Sequence, residues 1–230
     1  NLESQHFTSI AIDENNVKWI ASFDKGLFRF DGENWANFST ENSNLTSNHI
    51  FQVEANNNDI WLTQSDKLVY FDGVNFSNFD FEMSIEPSAL MVDELQNRVW
   101  IGTKNNGLIA FHNDNSFSYY YEYNSLISDN QINSLLLQNE KLWIATQSGL
   151  FTYENETWNV PNTDNDLLNN DIINILTKDA QGRLVAISQH YVYLQKNNLW
   201  ESYAIPQSAS FSQNLDAVVD EDLKIWLATT

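Results

Sequence analysis

Apolar and polar residues alternate along this chain in short runs, and the runs stop at clusters rich in Asn, Asp and Gly. A period of two between turn signals predicts short, half-buried β-strands rather than helices. The opening segment shows the order. An inner strand near Ser9–Ile12 leads through the turn Asp13-Glu14-Asn15-Asn16 into a strand over Val17–Ser22. Gly26 then opens a third strand, Leu27–Phe30. Asp31-Gly32 makes a hairpin turn that needs positive backbone angles, and Trp35–Phe38 forms the outer strand.

The same order returns along the whole chain. A Trp followed by an aliphatic, a small and often a hydroxyl residue recurs as Trp19-Ile20-Ala21-Ser22, Trp61-Leu62-Thr63-Gln64, Trp100-Ile101-Gly102-Thr103, Trp143-Ile144-Ala145-Thr146 and Trp226-Leu227-Ala228-Thr229. A degenerate copy, Val185-Ala186-Ile187-Ser188, fills the gap, so successive anchors lie 42, 39, 43, 42 and 41 residues apart. A four-stranded sheet of this size cannot bury both apolar faces alone, whereas radial stacking of several sheets buries both and leaves only short edges. The predicted fold class is therefore all-β: a β-propeller of four-stranded antiparallel blades, five complete repeats plus a two-stranded sixth, as one domain over residues 1–230. The sixth unit carries only an inner strand at Asn214–Val219 and a Trp strand at Lys224–Thr229. A chain cut from a longer propeller and a blade that stays two-stranded are both compatible with that. In this frame the Trp row packs blade on blade, and Gly26, Gly107 and Gly149 are turn residues with no phosphate to cradle, since no helix follows them.

Composition narrows the function classes. The 31 acidic against 11 basic residues give a net charge of -20, which repels phosphate backbones and anionic membrane surfaces, so nucleic acid is not an expected partner. No apolar run approaches the roughly 20 residues of a membrane-spanning helix, so direct membrane insertion is not expected, and Asn1–His6 lack the features of a signal peptide. There is no Cys, hence no disulfide or thiolate chemistry. Asn is abundant, 32 of 230, in keeping with its tolerance of unusual backbone angles in turns.

The unit reads D-x(5,6)-W-I-G/A-T-x(3)-G-L-x-x-F/Y, followed by an aromatic outer strand and an L-x-x-N-x-I link. Trp100-Ile101-Gly102-Thr103 with Gly107-Leu108 and Phe111 is its clearest copy, and Leu45–Ile50 and Ile127–Ile132 are links. This pattern resembles the two-component regulator propeller repeat over essentially the whole chain. The resemblance implies the periplasmic or extracellular sensor portion of a hybrid two-component system, of a kind often tied to polysaccharide use. Family members continue into a Tyr-rich sandwich domain, a membrane helix and a histidine kinase, none of which is in this sequence.

Propeller ligands usually meet the mouth formed by the loops that join blades. The residues entering each inner strand are Gln5-His6, Asn48-His49, Ser88-Ala89, Asn130-Gln131, Asn170-Asp171 and Gln213-Asn214. From these, His6, Asn48, His49, Asn130, Gln131, Asn170, Asp171 and Asn214 form the candidate ligand-binding set, a ring of amides with two imidazoles and one carboxylate that suits hydroxyl-rich or peptide ligands. The competing reading is that these groups satisfy inner-strand backbone and channel water. Phe23 and the run Tyr119-Tyr120-Tyr121 with Tyr123 offer ring faces for sugars, although alternation turns about half of that run inward. The acidic turns Asp13-Glu14, Asp93-Glu94 and Asp220-Glu221-Asp222 read as solvated hairpins. No cofactor is predicted, and calcium at these carboxylates is the one ion the sequence admits. No catalytic signature is present. The expected function is a non-enzymatic sensor propeller that binds a glycan-derived or other small polar ligand, or a partner domain, with a homodimer compatible. The alternatives are a protein-interaction scaffold and a polysaccharide hydrolase or lyase with carboxylates assembled across blades.

Overall fold

The computed structural model describes residues 6–161, 168, 171–197, 199–205, 214–220 and 224–229, with backbone alone for 214–216 and 227–229. They fall into two compact units, Asn1–Ser118 and Tyr119–Thr230. The first holds three antiparallel four-stranded sheets in simple meander order, the last strand of the third running two residues past the unit boundary. Sheet one is β1 (Phe7–Ile12), β2 (Lys18–Ser22), β3 (Leu27–Phe30) and β4 (Trp35–Phe38). Sheet two is β5 (Gln52–Asn56), β6 (Asp59–Thr63), β7 (Lys67–Phe71) and β8 (Phe76–Asp80). Sheet three is β9 (Pro87–Asp93), β10 (Arg98–Thr103), β11 (Leu108–Phe111) and β12 (Phe117–Tyr120).

The second unit repeats the plan. Sheet four is β13 (Ile132–Gln138), β14 (Lys141–Thr146), β15 (Gly149–Glu154) and β16 (Thr157–Asn159). Sheet five is β17 (Ile173–Lys178), β18 (Leu184–Ser188), β19 (Tyr191–Lys196) and β20 (Leu199–Ala204). Sheet six has two described strands, β21 (Asn214–Val219) and β22 (Ile225–Thr229). The strand boundaries expected from alternation hold within a residue or two, and all six sheets carry the Trp-row strand in second place.

Each part of the repeat has a mechanical reason. Three of the anchor indoles are core, Trp19, Trp100 and Trp143 being 5%, 1% and 6% exposed, whereas Trp61 is partly exposed and Trp226 is 64% exposed. Trp19 packs edge-on against Phe71 of the following sheet at 5.7 Å, and Trp143 meets Trp200 of its following sheet at 6.0 Å. The hydroxyl two or three residues later locks the next turn from a fully buried position. Thr103 Oγ1 donates to Gly107 O at 2.8 Å and accepts Asn106 N–H at 2.8 Å; Thr146 Oγ1 donates to Gly149 O and accepts Ser148 N–H, both at 3.0 Å. Gly26 sits at φ +79°, and a Cβ there would lie 2.1 Å from Phe38 O, so only glycine fits that close approach.

The first turn of several units is tied by its own acid. Asp13 accepts N–H from Asn15 and Val17 on one oxygen and the Trp19 indole N–H on the other, at 2.9–3.0 Å. Asp220 holds Lys224 N–H and the Trp226 indole in the same way. Where Val185 replaces the Trp, Asp179 turns its second oxygen to Arg183 Nε, 2.6 Å away. Asp93 is buried. The expectation of solvated hairpins therefore needs correction for these Asp residues: turn donors and the Trp indole claim the carboxylates of Asp13 and Asp220, and the buried Asp93 accepts Gln96 N–H; Glu14 and Glu94 are exposed. Glu221 and Asp222 lie outside the described residues.

Adjacent sheets are also linked along their inner strands. A β-bulge near the start of β1 and of β13 re-aims Thr8 and Asn133. Thr8 Oγ1 donates to Ile50 O at 2.7 Å and Asn133 Nδ2 to Ile173 O at 2.8 Å, each acceptor lying at the entry of the next inner strand. Gln52 Nε2 reaches Ser88 O in the same manner, at 3.1 Å.

Register also shows one face left bare. In sheet two, Val53, Leu62 and Val69 with Ile60, Phe71 and Phe76 form a buried face covered by Trp19, Ala21 and Leu27 of sheet one. The matching face of sheet one, with Ile10, Ile20 and Phe28 in one row and Ile12, Phe30 and Trp35 in the next, leaves Ile10 59%, Ile12 57% and Trp35 48% exposed.

Candidate functional site

Of the expected mouth residues, Asn48, His49, Asn130 and Gln131 lie on link loops, and the two Asn side chains spend hydrogen-bonding capacity there. Asn48 Oδ1 accepts Thr40 N–H at 2.9 Å, and its main-chain oxygen accepts Gly26 N–H at 2.9 Å. Asn130 repeats the first bond with Glu122 N–H at 3.1 Å. The Asn of the L-x-x-N-x-I link thus ties the link back on itself, which explains its place in the repeat. His6 and His49 are bridged by Phe23: its amide N–H donates to His6 O at 2.8 Å, and its ring packs on the His49 imidazole at 4.0 Å. Phe51 also stacks on this imidazole, at 4.2 Å. Burial holds the His49 pKa below the ordinary histidine value against the opposing pull of Glu86. Glu86 in turn pairs with Lys104.

In the second unit, Gln131 donates Nε2 to Asn133 Oδ1 at 3.2 Å, beside Gln147, whose Nε2 reaches the same oxygen at 3.4 Å. Asp171 accepts the Tyr193 hydroxyl at 2.5 Å; burial, then this carboxylate, push the Tyr193 pKa up. Asn170 lies outside the described residues, and Asn214 is described only as the first position of β21. Of the tyrosine run, Tyr120 turns inward against Trp158 at 5.3 Å while Tyr121 and Tyr123 are exposed, as alternation requires. Among the described residues, no group of three or more His, Cys, Asp or Glu is placed to hold a metal ion.

A site that the residue-by-residue reading missed lies at the other end of the strands, between sheets two and three. Here a cleft of about 510 Å³ is walled by Trp61, Tyr70, Phe79 and Phe111 and rimmed by Asn56, Asp59, Asn97 and His112. Trp61 is the partly exposed member of the anchor row in this unit, where Trp19 and Trp100 are buried. Its ring lies 4.8 Å from Tyr70, 6.3 Å from Phe79 and 5.7 Å from Phe111. The Tyr70 hydroxyl donates to Asp59 Oδ1 at 2.7 Å, and that bond, aided by burial, pushes its pKa up to about 12. Asp93, Glu94 and Arg98 also line the cleft, the Arg98 guanidinium lying 5.2 Å over the Trp100 ring. Volume and lining match small-ligand sites: ring faces for apolar surface, a few carboxylate and amide groups for hydroxyls. The sequence signal was Tyr70, the one aromatic that directly faces its anchor Trp across the second and third strands.

No protein-family model matches the chain, and no curated protein matches it. Solved structures do. The extracellular domain of the hybrid two-component system BT3049 from B. thetaiotaomicron aligns with 97% of this chain at a TM-score of 0.69 and 18% identity. Virginiamycin B lyase from Staphylococcus aureus aligns with 97% at a TM-score of 0.73 and 10% identity. PorZ, a surface component of the type-IX secretion system of Porphyromonas gingivalis, aligns with 96% at 0.70 and 12%. The chain spans 32% of the BT3049 domain, 78% of the lyase and 37% of PorZ. At these identities the likeness speaks for architecture: the chain has the β-propeller fold, and the extracellular domains of two-component systems are among the structures that share it.

Proposed function

We propose that this chain is a recognition module of the two-component regulator propeller type, working outside the cytoplasm, and that it holds a neutral, glycan-derived ligand in the cleft between sheets two and three. The repeat's resemblance and the shared architecture support the sensor class. The aromatic-walled cleft carries the ligand class. Ring faces of Trp61 and Tyr70 suit the C–H face of a sugar, and Asp59 and Asn56 suit its hydroxyls. Asp59, Asp93 and Glu94 outnumber Arg98 there, so an anionic sugar is disfavoured. Ligand that bridges the two sheets biases their packing, and an attached domain can read that change. The link-loop stack of Phe23, His49 and Phe51 is the rival surface.

Calorimetric titration of the 230-residue chain against neutral and uronic oligosaccharides tests this. The expected result is saturable binding of a neutral class, weakened at least tenfold by Asp59→Asn or Trp61→Ala and unchanged by Phe23→Ala. Absence of binding by a folded chain sinks the ligand class. Loss through Phe23→Ala or His49→Ala alone moves the site to the link loops. A second reading, a lyase or hydrolase, draws on the likeness to virginiamycin B lyase, and it requires polymer turnover that Asp59→Asn abolishes.

A further inference from the structure

The cleft at Trp61 has a counterpart in the second unit. Between sheets four and five lies a space of about 270 Å³, lined by Gln138, Lys141, Trp143 and Glu154 of one sheet and by Gln195 and Trp200 of the other. Register puts Gln138 and Lys141 at the hairpin positions that Asn56 and Asp59 hold in sheet two.

At this space sheet five departs from the repeat. The residue that follows the anchor's partner on the third strand is Phe30, Phe71, Phe111, Tyr153 and Gln195 in sheets one to five. Phe71 packs on Trp19 of the preceding sheet and Phe111 on Trp61, each at 5.7 Å. Sheet five places an amide there, cross-strand from Trp200. The Gln195 side chain meets no hydrogen-bond partner among the described residues.

The other groups narrow what can enter. Lys141 Nζ lies 3.1 Å from Glu154 and 5.8 Å over the Trp143 ring, and both charged side chains are partly exposed. Gln138 Nε2 donates to Gly182 O at 2.6 Å, which leaves its Oε1 to accept. Trp143 and Trp200 are buried, so, unlike Trp61, they present no open ring face to a sugar. An anion is opposed by Glu154 and a cation by Lys141. A molecule with both signs close together finds a partner for each, in charge-assisted bonds stronger than neutral ones. An ion pair this exposed is weakly held, so separating it costs little. The space falls below the roughly 300–1,000 Å³ of drug-sized pockets, which limits the molecule to a small one.

We propose that this cleft is a second ligand site and that it takes a free α-amino acid. Lys141 and the Gln195 amide N–H hold the carboxylate, while Glu154 and Gln138 Oε1 accept from the ammonium. This goes beyond the glycan reading and does not depend on it.

Calorimetric titration of the 230-residue chain with each common L-amino acid in turn, up to about 10 mM, reaches the millimolar affinities of weak sensors. At least one is expected to bind saturably, at one site per chain. Its N-acetyl and carboxamide derivatives, each lacking one charge, should bind at least tenfold more weakly. Lys141→Met keeps the stem over Trp143 and should cost at least tenfold, as should Glu154→Gln. Gln195→Phe restores the aromatic of the other sheets and should abolish binding with the thermal midpoint unchanged or raised; if it unfolds the chain, the two charge substitutions decide. Trp61→Ala should leave binding unchanged. The proposal is overturned if no amino acid binds the folded chain, if the derivatives bind equally, or if binding survives the charge substitutions. Loss through Trp61→Ala also overturns it, by moving the ligand to the first cleft.

Discussion

Among single residues, Glu54 stands apart. The inner-strand position opposite each anchor is Ala11, Glu54, Met91, Leu136, Thr177 and Val218 in turn, so one carboxyl sits where the other sheets place uncharged groups. Burial raises its pKa to about 7. The folded chain then holds a proton that the unfolded chain releases near 4.5, so stability is greatest below that value and falls as pH rises towards 7. With water reaching part of the carboxyl, the loss stays below about 3 kcal/mol. Urea unfolding across pH 4.5 to 8 should show this slope, and Glu54→Gln should flatten it. A slope unchanged in the variant would assign the dependence to other groups.

At the level of elements, the turn after the Trp strand in sheets three and four depends on one buried hydroxyl. Thr103→Val keeps the shape but strands Asn106 N–H and leaves Gly107 O with the main-chain N–H of residue 103 alone, and denaturant unfolding should register a loss of about 1–3 kcal/mol. The strands, the blade unit and the packing of Trp19, Trp100 and Trp143 were legible in the sequence, because alternation, spacing and turn residues are local signals; that Trp61 and Trp226 depart from the row was not. The links were legible as motifs only. That Asn48 and Asn130 fold their amides back on the link, or that a bulge turns Thr8 and Asn133 towards a neighbour some forty residues on, depends on register between sheets. The cleft at Trp61 was invisible for the same reason. Its walls come from β6, β7, β8 and β11, and no short segment contains them together.

On the scale of the whole molecule, the charge of -20 and the bare face of sheet one act against each other. Ile10, Ile12, Phe30 and Trp35 are arranged as the interior of the next sheet is, yet they meet water. The acidic surface charge repels one copy from another, and that repulsion fades as pH approaches the isoelectric point near 4.2. Colloidal behaviour should follow. Light scattering of a concentrated solution is expected to climb steeply below about pH 5, sooner in high salt where repulsion is screened over roughly 3 Å at 1 M. Replacing Ile10 and Ile12 with Thr should delay that climb without changing net charge. If the pair of substitutions leaves the turbidity curve in place, the stickiness resides elsewhere on the surface. If it shifts the curve, the working pH and ionic strength of this protein are bounded by one sheet face as much as by its fold.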